Sequence, residues 1–157
     1  MTEIRIREAK VDDVEDITQL YYGTVTNVNA KDYSPKEIEV WSGTAHNNND
    51  RWERSVNEQY FLIAEIDKEM VGFSSIAPNG YLDFMYVHKD HQRKGIALML
   101  LNEIESKAIE QKNKEIFAYV LITARPFFEK YGYEHVGYKI ITVKGVDFKD
   151  NLMIKKL

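Results

Sequence analysis

The chain has 157 residues, 25 acidic and 21 basic, with a formal net charge of −4 and no cysteine. One domain is the expectation at this length, and such a domain buries roughly 70% of its unfolded surface without covalent staples. The missing cysteine excludes disulfides, thiolate metal sites and any acyl intermediate carried on a thiol.

The 44% apolar and 29% charged fractions are those of an ordinary globular protein. No run approaches the ~20 apolar residues of a membrane span, and MTEIRIREAK lacks the apolar centre of a signal peptide. A cytoplasmic location and no membrane partner are therefore expected. Mild acidity argues against nucleic acid, which selects a basic face. The charge is uneven: residues 1–58 hold 12 acids and 7 bases, and residues 59–157 hold 13 and 14. Ligands of opposite sign would produce that division, and so would chance.

Ile4 and Ile6, alternating with Arg5 and Arg7, predict a half-exposed first strand. Asp12 and Asp13 precede Val14, Ile17, Leu20 and Tyr21, a helical spacing with acids in the first turn. Ser34-Pro35-Lys36-Glu37 opens a second helix with a capping box. His46-Asn47-Asn48-Asn49-Asp50 reads as a polar loop, and Asp50 as the cap of a short helix carrying Trp52 and Val56. Gln59–Ile66 and Met70–Ile76 form a hairpin around Asp67-Lys68-Glu69. Ala77-Pro78-Asn79-Gly80 is a turn, and Tyr81–Val87 a central strand covered on both sides, apolar except for Asp83. A polar loop, His88–Gln92, precedes a long helix from Arg93 to Lys112, with Ala97, Leu100, Leu101, Ile104 and Ala108 on one face. Glu115–Leu121 is a strand, Thr123–Lys130 a short helix closed at Gly132, and Val136–Val143 with Val146–Leu157 a hairpin around Gly145. This order predicts a layered α/β domain with a mixed sheet.

The junction Gln92-Arg93-Lys94-Gly95-Ile96-Ala97 carries the clearest chemical signal. A helix start has unpaired N–H groups and a partial positive charge, which suit a phosphate. Gly95 and Ala97 lack bulk, and Arg93 and Lys94 add full charges. Neither the Walker spacing nor the three-glycine dinucleotide fingerprint is present.

From Tyr86 to Ala97 the sequence resembles the acyl-CoA-binding motif, Q/R-x-x-G-x-G/A, of the GNAT superfamily of N-acetyltransferases. Ile122-Thr123-Ala124-Arg125-Pro126-Phe127-Phe128-Glu129-Lys130-Tyr131-Gly132-Tyr133 is similar to its second motif. The T-A-R-P-F-F form, with Asp32-Tyr33-Ser34-Pro35 and Trp41 upstream, resembles a bacterial subset. The resemblance implies a single acyl-CoA N-acyltransferase domain over residues 1–157. Its fold would be a mixed, mostly antiparallel central sheet of about seven strands flanked by helices on both faces. The cosubstrate would be acetyl-CoA. Main-chain groups of Gln92, Arg93, Lys94, Gly95, Ile96 and Ala97 would hold its diphosphate. The pantetheine arm would enter where the strand ending at Val87 splays from Glu115–Leu121, against Met85, Tyr86 and Val87.

Forming an amide from a thioester requires a deprotonated amine, a polarised carbonyl and a protonated leaving thiolate. Without cysteine, direct attack by the amine in a ternary complex is the simplest route. Asp83 is the candidate base or ammonium ligand; a structural ion pair is the other account of it. Phe128 stands where many superfamily members carry an acidic tyrosine, so Tyr131, at i+3, is the candidate replacement acid. Leu121 stands where an asparagine commonly contacts CoA, so that hydrogen bond is absent or supplied elsewhere, with Thr123 the candidate. Phe128 and Thr123 are accordingly grouped with the cofactor-binding residues. By the same resemblance Tyr22, Tyr33 and Trp41 are candidates for an aromatic wall facing a cationic amine. His88, Asp90 and His91 could suggest a metal, but one short loop rarely supplies a complete ligand set, and no metal is predicted. The expected partner is a small-molecule primary amine, without nucleic acid, and a homodimer is left open. The competing account is a catalytically degenerate CoA-binding module. An acetylating toxin acting on charged tRNA would want a basic surface.

Overall fold

Strand β1 is Ile4–Glu8, with Arg7 on its outer side. The computed structural model describes residues 3–43 and 49–157, so residues 46–48 of the expected polar loop lie outside them. A 3-10 turn at Val11–Asp13 leads into α1, Val14–Asn27, whose Val14, Ile17, Leu20, Tyr21 and Val25 are buried along one face. A second 3-10 turn, Asn29–Asp32, precedes α2, Pro35–Gly43. Its capping box forms as predicted: Ser34 N–H donates to Glu37 Oε1 at 2.8 Å, and Glu37 N–H to Ser34 Oγ at 3.1 Å. Helix α3 is Asn49–Glu58, so Asp50 lies inside the first turn instead of capping it.

Strands β2, Tyr60–Ile66, and β3, Glu69–Ile76, meet at Asp67-Lys68, both at positive φ, a turn whose twist matches that of the strands. Strand β4 is Leu82–Val87. Helix α4, Ile96–Glu110, begins later than the predicted Arg93, because Arg93 and Gly95 have φ of 61° and 81° and cannot belong to a right-handed helix. Then follow β5, Glu115–Val120, α5, Arg125–Lys130, β6, Glu134–Val143, and β7, Val146–Lys156.

The seven strands among the described residues form two antiparallel sheets, β1-β2-β3-β4 and β5-β7-β6. A parallel bridge, Tyr81 to Phe117, joins them, with Phe117 N–H donating to Gly80 C=O at 3.1 Å. One such bond is worth about 0.5–1.5 kcal/mol, so strand pairing does not hold the sheets together. Helix α4 does. Its fully enclosed Leu100, Leu101 and Ile104 pack on the first sheet and on Ile116, Ala118, Val120 and Met153 of the second. Each such side chain contributes about 1.5–3 kcal/mol. The close approach needs Gly72: a Cβ there would stand 3.0 Å from Ile96 and 3.3 Å from Leu100. On the opposite face α1, α2 and α3 cover a second core, into which Phe148 of β7 inserts beside Trp41 and Tyr33. No helix among the described residues is long and apolar enough to cross a membrane.

Arg7 fastens β1 to the start of α1 through a bidentate pair with Asp13, at 2.9 and 2.8 Å, and reaches Glu65 at 3.2 Å. The hydrogen bond from Arg7 holds the Asp13 carboxyl below its ordinary 3.8, against a smaller opposing effect of burial. A lowered folded value stabilises the fold above the unfolded value, and that stability is lost as the pH falls through the folded value. Asp13→Asn is expected to cost about 1 kcal/mol at neutral pH by urea unfolding, since Arg7 is partly screened by solvent. The difference from wild type should shrink as the pH drops below 3.8.

Candidate functional site

Beyond Tyr81, β4 has a partner on one side only among the described residues. An antiparallel ladder exchanges hydrogen bonds at every second pair. His88 N–H donates to Val71 C=O at 2.8 Å, so Tyr86 with Phe73 and Phe84 with Ser75 are the bonded pairs that follow in register. The N–H and C=O groups of Met85 and Val87 therefore point away from β3, toward β5. The same count on β5, from the Leu157 to Lys114 bond, directs the main chain of Tyr119 back toward β4. Two strand edges thus face each other across a wedge that closes at the Tyr81 bridge. A register shift between Ser75 and Ile76 inserts Asp83 as a bulge in β4, and a bulge bends its strand and increases its twist.

The loop from His88 to Gly95 lies at the open end of this wedge. The Gln92 side chain folds back, donating to Val87 C=O at 2.7 Å and His88 C=O at 3.3 Å. Gln92 therefore holds the loop against the strand through its side chain. His91 N–H donates to His88 C=O at 2.9 Å, and Asp90 N–H to His88 Nδ1 at 3.0 Å. Gly95 precedes α4 without a side-chain cap, and Met99 N–H is the first to find a partner, Gly95 C=O at 3.0 Å. The N–H groups of Ile96, Ala97 and Leu98 are left at the helix mouth. Arg93 and Lys94 are exposed beside them. Nothing lies within 4 Å of where a Cβ on Gly95 would stand, so the space before the helix is open. No group of three or more His, Cys, Asp or Glu side chains able to hold a metal occurs among the described residues. A cavity of about 360 Å³ opens elsewhere, between α1, the β2–β3 turn and His88–Lys89, and includes no residue of the wedge.

Asp83 is nearly buried and paired. Arg51 of α3 lies 3.3 Å from Oδ1, and Gln59 Nε2 donates to Oδ2 at 2.9 Å. The Arg51 guanidinium sits 5.0 Å from the Phe84 ring. Tyr81 stacks on Phe117 at 5.2 Å and meets Tyr119 edge-on at 6.3 Å. Burial, then the Asp83 charge, push the Tyr81 hydroxyl up to about 12. Tyr86, called for cofactor contact, turns its ring into the core beside Tyr21 and Phe73, and burial raises its hydroxyl well above the usual tyrosine range. Only its main chain belongs to the strand at the wedge.

Thr123 donates to Asp32 at 2.8 Å, and Tyr33 accepts from Ile122 N–H at 3.0 Å, so the segment before α2 fastens to the β5–α5 connection. Burial pushes the Tyr33 hydroxyl up to about 12. Trp41 is not a pocket wall: it is 8% exposed, donates its indole N–H to Tyr21 at 2.6 Å, and backs Tyr33 at 5.4 Å. Tyr22, one residue beyond the buried Tyr21, stands on the outer side of α1 at 42% exposure. Phe128 is 1% exposed, enclosed against Tyr133 and Phe127. Tyr131 packs against the same core cluster that encloses Phe128. The helix ends at Lys130, and Tyr131 meets Phe127 at 5.1 Å, with Lys155 donating to its C=O at 3.1 Å.

Asp150 went unread in the sequence. It lies on β7 in the row Phe148, Asp150, Leu152, Ile154, half-buried on the face away from α4, in a strand with four other charges. The division of charge at residue 58 does not describe this region. Asp83 and Asp150 both come from the more basic part of the chain, and the acidic part contributes Arg51.

A family model described as an acetyltransferase (GNAT) domain matches residues 29–153. An uncharacterized N-acetyltransferase, YafP, of Escherichia coli K12 is 29% identical over 98% of this chain and 96% of its own. A GCN5-related N-acetyltransferase from Rhodopseudomonas palustris superposes with a TM-score of 0.93 at 23% identity, covering 100% of this chain and 98% of that one. PaiA N-acetyltransferase from Thermoplasma acidophilum, solved in complex with coenzyme A, gives 0.80 at 23% identity over 99% of both chains. A putative acetyltransferase, YncA, from Salmonella typhimurium with its cofactor acetyl-CoA gives 0.73 at 19% identity, over 99% of this chain and 94% of the other. With the split sheet and the glycine-led α4, the family match over most of the chain settles its membership: it belongs to the GNAT acetyltransferase family.

Proposed function

We propose that the protein transfers an acetyl group from acetyl-CoA to a small primary amine by direct attack in a ternary complex. The observation that carries this is the uncapped start of α4, set at the open end of two unpaired strand edges. The fit is chemical. The N–H groups of Ile96, Ala97 and Leu98, with Arg93 and Lys94, suit a diphosphate. The edge amides of Met85 and Val87 suit an amide-containing arm and a thioester oxygen. Bound acetyl-CoA supplies the activated acetyl group. A nitrogen–carbon bond forms as the carbon–sulfur bond breaks, and the amine proton and the thiolate each need a protein partner.

Asp83 is the proposed partner of the amine. Gln59 and Arg51 hold its carboxylate in place, and Arg51, half exposed, can yield to an incoming ammonium. Tyr131 is the proposed acid, since Phe128 has no proton to give. Thr123 stands in for the missing asparagine at Leu121, and its oxygen keeps acceptor capacity while its proton is donated to Asp32. Tyr33 and Tyr22 are the proposed aromatic wall, with Trp41 behind Tyr33. The run from Thr123 to Phe128 is the basis for placing the chain in the bacterial T-A-R-P-F-F subset.

Gly95 offers the direct test of cosubstrate binding. A side chain there is strained at φ 81° and occupies the open space before the helix. Gly95→Val is expected to weaken acetyl-CoA at least about tenfold by calorimetry, for a cost of one to two kcal/mol in stability. Asp83→Asn and Tyr131→Phe should each lower turnover by about 10²-fold, measured as CoA thiol release with an amine panel, while acetyl-CoA affinity holds. Wild-type rates in either variant would remove that residue from the chemistry. Tight acetyl-CoA binding with no turnover on any amine would favour the binding-module account.

A further inference from the structure

Asp150 has a surrounding that its role as a strand residue does not explain. It is half-buried on β7, on the sheet face opposite α4. It accepts no side-chain hydrogen bond and makes no salt bridge among the described residues. Leu121 follows Val120, the partner of Asn151, so Asp150 sits beside the end of β5, where the wedge is widest. Across β6 its partner is Lys139. The Lys139 ammonium does not close on it, resting instead 3.8 Å above the Tyr119 ring. Gly137 stands opposite Leu152 and leaves room for that diagonal contact. The wall thus already holds one ammonium on an aromatic face near a carboxylate.

The charge of Asp150 reaches both sides of the wedge. After burial, it is among the contributions that raise the hydroxyls of Tyr33, Tyr81 and Tyr86. Asp83 acts on Tyr81 and Tyr86 too. The geometry joins them: Lys139, the partner of Asp150, rests on Tyr119, and Tyr119 meets Tyr81, two residues before Asp83, edge-on at 6.3 Å. Burial also lifts the Asp150 carboxyl above its usual range, opposed only by Lys139. A carboxylate in that state gains most from a cation that arrives with the ligand.

We propose that Asp150 is a specificity-determining residue that seats a second ammonium of the acceptor, so that the preferred acceptors are aliphatic diamines. This rests on the transfer of acetyl to an amine at the wedge. Asp83 receives the reacting amine, Asp150 the distal one, and the methylene chain between them lies along Tyr119 and Tyr81. A carboxylate on the acceptor would meet Asp150 as a like charge.

The test compares 1,5-diaminopentane, 1-aminopentane and 6-aminohexanoate on the full chain, by calorimetric binding and by CoA thiol release. Wild type should bind the diamine at least about tenfold more tightly than the monoamine, as expected for one charge-assisted hydrogen bond. Asp150→Asn should abolish that ratio through KM and not kcat, Asp150→Glu should restore part of it, and Lys139→Met should raise it. Equal binding of diamine and monoamine, or an unchanged ratio in Asp150→Asn, would overturn the proposal. Diamine binding that depends on Asp150 without acetylation of any amine would leave this seat standing and remove the transfer reaction instead.

Discussion

The rest of this fold depends on one constraint: among the described residues, β4 lacks a strand partner along its outer edge. Main-chain N–H and C=O groups are rarely left without a partner. Here the bulge at Asp83 bends β4 away from β5 just after their bridge, and the ladder leaves Met85 and Val87 facing the gap. Completing the sheet would satisfy those groups and remove the place proposed for the amide groups of the cosubstrate. Val87 shows how far the fold goes to manage the edge: its C=O accepts from Thr24 at 2.8 Å and from Gln92 at 2.7 Å. The Val87 N–H and the main-chain groups of Met85 face the gap.

A split sheet has to be held open and held together at once. Apolar burial accomplishes both. Helix α4 spans the two sheets from one side, and the Trp41–Tyr33–Phe148 cluster ties β7 to α2 from the other. Because α4 is fixed by its buried side chains, its first turn is fixed too, and its unpaired amides stand beside the wedge. The left-handed Arg93 and Gly95 bring the chain out of β4 and into α4 without covering those amides. Packing thereby sets the distance between the helix mouth and the strand edges, and the Gln92 side chain fastens the connecting loop to β4.

Local chemistry in the sequence was a good guide where it acts over a few residues. Ser34 with Glu37, the helix face of α4, and the glycines at 95, 132 and 145 all act at short range, and the structure places them accordingly. The seven strands follow from periodicity, and the helices on both faces from the resemblance to the family. The division into two sheets does not, because alternation along β5 says nothing about which edge will find a partner. Asp83 stood out as the one charge in its strand, yet its pairing with Arg51 and Gln59, 32 and 24 residues away, is invisible without the fold. Trp41 and Tyr86 looked available because aromatic side chains serve cores and pockets equally well, and burial decided for the core. Asp150 passed unread inside a long terminal hairpin, because four other charges share its strand.

The central claim is that the unpaired amides of β4 and α4 together form the acetyl-CoA site. Amide NMR of the full chain during titration with acetyl-CoA addresses it directly. Saturable shifts centred on the N–H groups of Met85, Val87, Ile96, Ala97 and Leu98 are the predicted result. Shifts that spare those amides and gather instead on Asp16, Gly23 and Lys68 around the separate α1 cavity would contradict it.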